Sequence, residues 1–345
     1  MSHLAKVAVL PALLLAASIA GTGHATASNL VTLDVDNLGH TVTTGINSKG
    51  EVVGDTAASG SFVRQSDGSV TYLSLDGYSR LYPIGINKKG DVGGTAACAI
   101  GNCTVGFFRS ADGTTTPFNA TGNQSDGTSV WGINDKGDVV GFYNDGFYSH
   151  GFVRMGDGSV KVVNAECGPS TQAYAINAKG TVAGVAGGAD GLCGFVLPSK
   201  GEESDFTIPS ATNFYVTGIN NDNWISGYYG TADGHTYGFV RSPDGTLTTV
   251  SVDGYVASSA ACINNSNTVT GSYGPKYTPG RGYVQTEAGE FTQIKIKIKG
   301  AYNISPVCIT DKGSVVGNYR VKLGKHDYKQ YGFIWTPQKR LEQKQ

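Results

Sequence analysis

Histidine and tyrosine residues recur as close pairs in the longer loops of this sequence. Near neutrality an imidazole can accept a proton and a phenol can donate one, so such pairs suit removal of a proton next to a carboxylate. The candidate catalytic residues are the pairs Tyr148/His150, His235/Tyr237 and His326/Tyr328.

Further aromatic and cationic residues surround these pairs. Phenol rings stack on sugar faces, and cations pair with carboxylate or sulfate groups, so this composition favours an acidic glycan as ligand. The candidate ligand-binding residues are Arg80, Tyr143, Tyr228, Tyr229, Tyr273, Lys276, Arg281 and Tyr319. His40 is expected on the same side of the molecule.

Three functions are compatible with these residues. In a binding or scaffold module, the preferred interpretation, the loops recognise a glycan or a protein partner and nothing is turned over. In a polysaccharide lyase, the alternative, a His or Tyr removes the proton α to a uronate carboxylate while a cation stabilises the enolate. A metal site would need three imidazoles at about 2 Å from one ion, and the spacing of the histidines over alternate repeats opposes this. We therefore expect no metal and no cofactor.

A ten-residue segment, GINDKGDVVG at 132–141, recurs along the chain and must position those loops. Its asparagine recurs at 47, 87, 134, 177, 220 and 264, and Thr310 replaces it in the seventh copy. A period of 40–47 residues is typical of propeller blades.

The third copy predicts four meander-connected strands at 129–134, 138–143, 151–155 and 159–165, with Gly137 at a turn position that needs positive φ. One aromatic residue stands at a fixed point of every copy, as a packed layer between neighbouring sheets requires. These predicted core residues are Phe62, Phe107, Phe152, Phe195, Phe239, Tyr283 and Phe333.

Seven such units predict an all-β fold, a seven-bladed β-propeller of four-stranded antiparallel blades forming one domain over residues 28–345. Residues 30–36 read like a fourth strand but precede the first copy. We expect this N-terminal strand to complete the last blade and close the array. A solenoid is the alternative, although neither end shows a polar capping repeat.

The phasing of the repeat sorts the connections onto two faces. The short, similar turns lie on one face, and the long, variable loops that carry the His/Tyr pairs lie on the other. Binding residues concentrate in loops held by a rigid scaffold. The long-loop face is therefore the functional candidate, and the asparagine of the hairpin is assigned to a turn.

Six cysteines without a paired CxxC motif favour disulfides over a metal site. The repeat register pairs Cys98 with Cys103, Cys167 with Cys193, and Cys262 with Cys308. Buried free thiols are the alternative, above all for the last pair, which needs two closely spaced strands.

The N-terminal sequence indicates an exported protein. Residues 1–27 combine Lys6, a short apolar run and an Ala-Thr-Ala end, which is typical of a signal peptide and too short for a membrane span. We expect a secreted or periplasmic location. A net charge of −1 argues against nucleic acid as a partner, and the lysine alternation at 294–300 predicts the solvent face of a strand.

The repeat resembles that of the HAF-type extracellular repeat proteins of bacteria, known for a GIN-x-x-G-x-VVG segment followed by His-Ala-Phe. The first half of that pattern matches over essentially the whole mature chain, while His150-Gly151-Phe152 comes nearest to the tripeptide. The resemblance implies an exported propeller-like array and no particular chemistry.

Overall fold

The computed structural model describes residues 28–101, 103–123, 126–188, 191–252, 254–275, 280–324 and 327–337. These residues form β-strands and no α-helix. Over the same ranges, no helix has the length and apolarity needed to cross a membrane. The expected signal peptide at 1–27 lies outside the described residues, as do Lys276 and His326.

Each copy of the repeat builds one unit of consecutive strands. Strand β1 spans Ser28–Leu33. The first unit contains β2 (Thr41–Ile46), β3 (Val52–Thr56), β4 (Gly60–Arg64) and β5 (Val70–Tyr72). The second contains β6 (Tyr78–Ile86), β7 (Val92–Cys98), β8 (Thr104–Arg109) and β9 (Thr115–Phe118). The third contains β10 (Thr128–Ile133), β11 (Val139–Asn144), β12 (Ser149–Arg154) and β13 (Val160–Val163).

The remaining units follow the same order. The fourth contains β14 (Ser170–Ile176), β15 (Val182–Gly188), β16 (Gly191–Leu197) and β17 (Ser204–Phe206). The fifth contains β18 (Ala211–Ile219), β19 (Ile225–Thr231), β20 (Thr236–Arg241) and β21 (Leu247–Val250). The sixth contains β22 (Ala257–Ile263), β23 (Val269–Gly274), β24 (Arg281–Gln285) and β25 (Phe291–Ile294). The seventh contains β26 (Ala301–Ile309), β27 (Val315–Lys322) and β28 (Tyr328–Pro337).

The predicted strands of the third copy are confirmed, with ends displaced by one or two residues. The prediction of a strand over the lysine-rich segment at 294–300 is wrong: β25 ends at Ile294, and the residues after it form a bend and a turn. Alternation alone misleads here, because no neighbouring strand is available to pair with this segment beyond Ile294.

Within each unit the strands pair antiparallel in chain order. Over the described residues the units form five four-stranded sheets and one eight-stranded sheet, in which a single parallel pairing of Thr236 with Ala257 joins the fifth and sixth units. Strand β1 pairs antiparallel with β28, from Ser28 opposite Pro337 to Leu33 opposite Gly332. The N-terminal strand therefore supplies the fourth strand of the sheet that contains β26–β28.

The units meet around a cavity of about 390 Å³ lined by the first hairpin of all seven. The first strand of each unit is thus the innermost one. An isoleucine from each hairpin faces this cavity: Ile46, Ile86, Ile133, Ile176, Ile219, Ile263 and Ile309.

A glycine and an aromatic residue stand opposite each other in every unit. The glycine ends the VVG-type segment, and the aromatic residue belongs to the third strand and is fully buried. The pairs are Gly54/Phe62, Gly94/Phe107, Gly141/Phe152, Gly184/Phe195, Gly227/Phe239, Gly271/Tyr283 and Gly317/Phe333. A Cβ at any of these glycines would collide with the facing ring or with a carbonyl oxygen of the first strand. The predicted core ring is confirmed, and it explains why the hairpin motif ends in glycine.

The asparagine in each of the first six hairpins is buried and links its unit to the next. The Oδ1 atom of Asn134 accepts hydrogen bonds from the backbone N–H groups of Lys136 and Asp138, both at 2.9 Å. Its Nδ2 atom donates to the carbonyl oxygen of Asn177 in the next unit at 3.0 Å. The same cross-unit bond runs from Asn47, Asn87, Asn177, Asn220 and Asn264 to the following hairpin.

The hairpin turns adopt the backbone conformation predicted for Gly137, which has φ of 94°. Asn223 and Asn267 occupy the equivalent position in the fifth and sixth units, with φ of 64° and 55°. Asparagine is among the few residues besides glycine that tolerate this region. The turn geometry is therefore retained where the glycine is replaced.

All three predicted disulfides are confirmed. Cys98 bonds Cys103 across one loop, Cys167 bonds Cys193, and Cys262 bonds Cys308 between the inner strands of neighbouring units. The last bond ties β22 to β26 at the wall of the central cavity.

Replacement of Gly94 by alanine should destabilise the protein by about 1–3 kcal/mol, because the new methyl group must displace the Phe107 ring or the Tyr82 carbonyl. Gly93→Ala is the matched control, since its Cβ meets no atom nearer than 3.4 Å. The free energies of unfolding in urea measure both. Equal losses for the two variants would contradict the packing role of Gly94.

Thr310 occupies the asparagine position of the last hairpin and provides no amide to continue the series. Thr310→Asn should therefore add a seventh cross-unit bond to Asn47 and stabilise the protein by about 1 kcal/mol. Asn134→Thr is the mirror control and should be destabilising by at least that amount. Thermal unfolding midpoints compare the two, and a lower midpoint for Thr310→Asn would count against the bonding role.

Candidate functional site

The long loops and the connections between units lie at the opposite end of the strands from the hairpin turns. We call this end the loop face and the other the hairpin face. The loop face carries the described members of the predicted His/Tyr set, and the structure places those side chains as follows.

His150 is the second residue of the third strand of its unit, and neighbouring side chains hold its ring. Its Nε2 atom lies 2.8 Å from Asp145 Oδ2 and its Nδ1 atom 3.4 Å from Asn164 Oδ1, and the ring stacks on Tyr143 at 5.1 Å. Backbone N–H groups of Tyr148 and Phe147 and the His150 ring lower the pKa of Asp145 to about 2. Asp145 therefore orients the His150 imidazole, and Tyr148, two residues before it in the chain, is half exposed.

His235 is oriented in a similar way in the fifth unit. Its Nδ1 atom lies 3.0 Å from the Tyr237 hydroxyl and 3.2 Å from Asp233 Oδ2. Hydrogen bonds from the Thr231 hydroxyl and the His235 backbone lower the pKa of Asp233. His150 belongs to the third unit and His235 to the fifth, and no residue among the contacts given above bonds to both imidazoles.

Tyr328, from the third pair, lies under the Arg320 guanidinium at 4.4 Å. Its partner His326 lies outside the described residues. Among the described residues, the one group of three possible metal ligands within 4.8 Å of one another is Cys167, Glu203 and Asp205. It contains no histidine, and Cys167 is disulfide-bonded.

The predicted ligand-binding tyrosines divide by burial. Tyr143, Tyr273 and Tyr319 are 9%, 5% and 1% exposed, and burial raises the pKa of each phenol. Tyr319 stacks on Tyr331 and its hydroxyl lies 3.1 Å from Thr32 Oγ1. These three rings pack between units and present no open face to a ligand.

The cations and the remaining tyrosines of the set are more accessible. Arg80 pairs with Asp55 and lies 5.6 Å from the centre of the Tyr82 ring, while Arg281 lies 4.9 Å from that of Tyr255. Tyr228 and Tyr229 are half-buried in β19 rather than in a loop. Lys276 lies outside the described residues.

A run of aromatic side chains on the inner strands was missed by sequence reasoning. Trp131 stacks with Phe142 at 6.2 Å and meets Tyr174 edge-on at 5.2 Å. Tyr174 contacts Tyr215 at 6.2 Å, and Tyr215 stacks on Tyr228 at 5.1 Å. The run crosses units three, four and five, and we call it the aromatic wall.

The aromatic wall follows from an irregularity in the inner strands. Every unit has a β-bulge just before its GIN-type segment, which shifts the pairing register by one residue. Trp131 and Tyr174 are the bulged residues of β10 and β14. A bulge re-aims the side chain it carries, and Trp131 remains 46% exposed. The signal available in the sequence was the large aromatic residue directly before the GIN and AIN segments.

Two phenols of the wall have a raised pKa. Burial, with the nearby Tyr215 and Tyr228 phenols, raises the pKa of Tyr174 to about 12. Burial and Tyr215 also raise the pKa of Tyr228. The Tyr174 hydroxyl donates to Gln172 Oε1, and Gln172 Nε2 donates to Ser149 Oγ at 3.3 Å. The wall thus offers ring faces and neutral hydrogen-bonding groups.

The cavity on the hairpin face serves the scaffold instead. Its asparagine amides are already bonded to their own turn and to the next hairpin, as described above. At its mouth the Lys88 ammonium lies 3.2 Å from Asp135, and Asn265 Nδ2 donates to Asp311 at 2.9 Å. Because these polar groups satisfy one another, this cavity is not the candidate site.

Comparisons with known proteins address the fold. No protein-family model matches the chain, and no curated protein sequence gives a significant match. The chain is similar to the solved structure of selenomethionine-substituted virginiamycin B lyase from Staphylococcus aureus. That likeness has 13% identity and a TM-score of 0.56, and covers 90% of this chain and 99% of the other.

Two further solved structures are similar. The Dos1 propeller shares 9% identity with a TM-score of 0.50, over 86% of this chain and 92% of the other. Puromycin hydrolase shares 14% identity with a TM-score of 0.51, over 79% of this chain and 49% of the other. The chain has a β-propeller-like fold. At such identities the likeness concerns the fold alone, and the activities in those names belong to those proteins.

Glu203 lies beside Cys167 and Asp205, and its ionisation makes the stability of the protein depend on pH. Burial, together with the Asp205 side chain and the Glu166 charge, raises the pKa of Glu203 from 4.5 to about 7. The folded state therefore holds this proton more tightly than the unfolded state. The associated stability is present below pH 4.5 and is lost as the pH rises through about 7.

Glu203→Gln should thus match the parent protein in acid and unfold at a higher temperature than it at pH 8. Thermal midpoints measured from pH 4 to pH 8 give the comparison. Glu202→Gln, at an exposed neighbouring carboxylate, is the control and should leave the pH profile unchanged. If the midpoint of Glu203→Gln differed from that of the parent protein by the same amount at every pH, the raised pKa of Glu203 would be contradicted.

Proposed function

We propose that this protein is an exported β-propeller that binds a glycan on its loop face and along the aromatic wall, without turning it over. The observation that carries the proposal is the aromatic wall itself. Trp131 and Tyr215 are 46% and 40% exposed on inner strands that otherwise pack tightly. Exposed rings arranged in sequence provide platforms for successive sugar rings.

The polar groups beside the wall support a carbohydrate ligand. Phenol hydroxyls, Gln172 and the inner-strand residue Ser129 can exchange hydrogen bonds with sugar hydroxyls without burying an unpaired charge. Arg80 of the second unit, paired with Asp55 and 41% exposed in its side chain, is a cation of the loop face for a uronate or sulfate group. The proposed ligand is accordingly an acidic or neutral oligosaccharide, and a protein partner is the competing occupant.

We also propose seven blades closed by the N-terminal strand. Support comes from the central cavity, which the first hairpins of all seven copies line, and from the pairing of β1 with β28. Asn318 Oδ1 accepts the Thr43 backbone N–H at 2.7 Å, and Asn318 Nδ2 donates to the Thr43 carbonyl at 3.0 Å, joining the last unit to the first.

The proposal also includes export from the cytosol and membership of a repeat family. Three disulfides are typical of proteins that leave the cytosol, which supports a secreted or periplasmic location. Membership of the HAF-type repeat family is kept as a proposal that rests on the repeat sequence.

A lyase needs a deprotonated base close to a cation at one site. The raised pKa of Tyr174 and Tyr228 makes these phenols poor bases at neutral pH. His150 and His235 lie in separate units, and the described polar contacts of each imidazole are with a carboxylate, an amide or a phenol and include no cation. These contacts support binding over the lyase alternative.

The mature protein should bind a subset of glycans on an array, and Trp131→Ala should weaken that binding about tenfold through loss of a stacking face. Tyr72→Ala is the matched control, because Tyr72 is an aromatic residue of similar exposure, 45%, on an outer strand. Circular dichroism checks that both variants are folded.

Two outcomes would overturn this function. Silence across the array, with a single protein captured from the native culture fluid, would favour a protein partner. Release of unsaturated ends from an acidic polysaccharide, seen by absorbance and abolished in His150→Ala, would favour the lyase.

A further inference from the structure

The asparagine bonds that link successive hairpins stop between the last unit and the first, and a shorter series of lysine contacts does not reach that junction either. In the first three units the lysine of the turn donates to the backbone of the next turn, whereas the fifth and sixth units have no lysine at this position. Lys49 reaches the Lys89 carbonyl at 3.0 Å, and Lys89 reaches that of Lys136 at 3.2 Å. The series continues from Lys136 to Lys179 at 3.2 Å. Lys312 is the equivalent residue of the last turn, and its ammonium makes no hydrogen bond or ion pair with a described residue.

The amide series fails at the same place. Thr310 stands where the other hairpins have asparagine, and its hydroxyl accepts the Ser314 backbone N–H at 3.1 Å within its own turn. The second and third units also bury an acid after the turn, Asp91 and Asp138, each accepting a backbone N–H at 3.0 Å. Ser314 is the equivalent residue of the last unit. This junction therefore lacks the amide, and it also lacks the acid, as the fourth, fifth and sixth units do.

Two arginines of other units pack on an aromatic ring of the preceding unit, and the equivalent arginine at the junction does not. Arg154 lies 4.7 Å from the centre of the Phe108 ring of the preceding unit, and Arg241 lies 4.9 Å from that of Phe206. Arg64 is the equivalent residue of the first unit, and it faces Ile334 rather than an aromatic ring. Its one hydrogen bond to a described residue is to the adjacent Gln65 carbonyl at 3.1 Å.

A cavity of about 290 Å³ lies beside these residues, between the first and last units. Lys49, Arg64 and Lys312 line it together with the hydroxyls of Ser66, Ser314 and Thr336, and no described acidic residue does. The nearby Glu51 carboxylate is bonded to Asn47 Nδ2 and lies beside Gly90 of the second unit. We call this space the seam cavity.

We propose that the seam cavity binds a tetrahedral oxyanion, either a free phosphate or sulfate ion or the same group as an ester on a sugar. Lys49, Arg64 and Lys312, from two units, line the cavity with no acidic residue among the lining, and hydroxyl groups supply additional donors. Of the three, Lys49 also donates to the Lys89 carbonyl and Arg64 lies near Asp67 of its own turn, so Lys312 is the cation without a described partner. The cavity is larger than one such ion requires, so an ester fits as well. A bound oxyanion joins the first unit to the last in place of the missing amide and lysine contacts.

The test measures thermal unfolding of the full mature chain in sodium phosphate, sodium sulfate and sodium chloride at equal ionic strength. We expect phosphate and sulfate to raise the midpoint saturably, as a ligand that binds the folded state does, while chloride does not. The broadening of the phosphorus NMR signal by the protein is then measured for inorganic phosphate and for glucose 6-phosphate. The comparison shows whether the free ion or a sugar ester is the preferred ligand. Tighter binding of the ester indicates a sugar ligand, and equal or weaker binding indicates the free ion.

Lys312→Met should weaken phosphate binding about tenfold by removing one charge-assisted bond, and it should leave glycan binding at the aromatic wall unchanged. Lys136→Met is the matched control, since this lysine contacts the Lys179 carbonyl away from the seam. Ile334→Phe, which supplies a ring like that of Phe108, should fill the cavity, abolish phosphate binding and stabilise the anion-free protein. Identical phosphate responses in the parent, Lys312→Met and Ile334→Phe proteins would overturn the proposal.

Discussion

The hairpin asparagine amide is the contact on which the arrangement of the units depends. One side chain fixes its own turn through Oδ1 and the neighbouring unit through Nδ2, as Asn87 does to Asn134 at 3.1 Å. Each such bond contributes only about 1 kcal/mol net, but leaving a buried amide unpaired costs more. The buried asparagine therefore disfavours any arrangement in which the next hairpin is displaced. With the spacing fixed in this way, the aromatic ring of each third strand fills the gap above its glycine.

The scaffold could be predicted from sequence because it depends on contacts that every copy repeats. Gly141 and Phe152 have counterparts in each unit, and only a glycine fits beneath the ring. The disulfides followed from the same register, since Cys262 and Cys308 hold one position in neighbouring copies. The lysine run at 294–300 shows the limit: alternation predicts a strand only where a partner strand is present.

The candidate site was less predictable, because burial depends on which unit lies alongside. Tyr143 and Tyr148 are five residues apart in similar sequence surroundings, yet one is 9% and the other 49% exposed. The difference arises because Tyr143 ends a paired strand and packs on the His150 ring, whereas Tyr148 stands in the loop. Trp131 was missed for the converse reason: a bulge, invisible to a period-two pattern, turns an inner-strand residue towards open space.

The junction between the first and last units carries different constraints from the junctions between consecutive units. The first and last units come from opposite ends of the chain, so their contact closes the longest loop. Pairing of β1 with β28 and the Asn318–Thr43 bonds hold the outer and inner strands there. Thr310, which replaces the hairpin asparagine, and Ile334, which stands where the second unit has Phe108, line the cavity beside these contacts. The junction at which the asparagine series stops is thus also the place where the proposed oxyanion would bind.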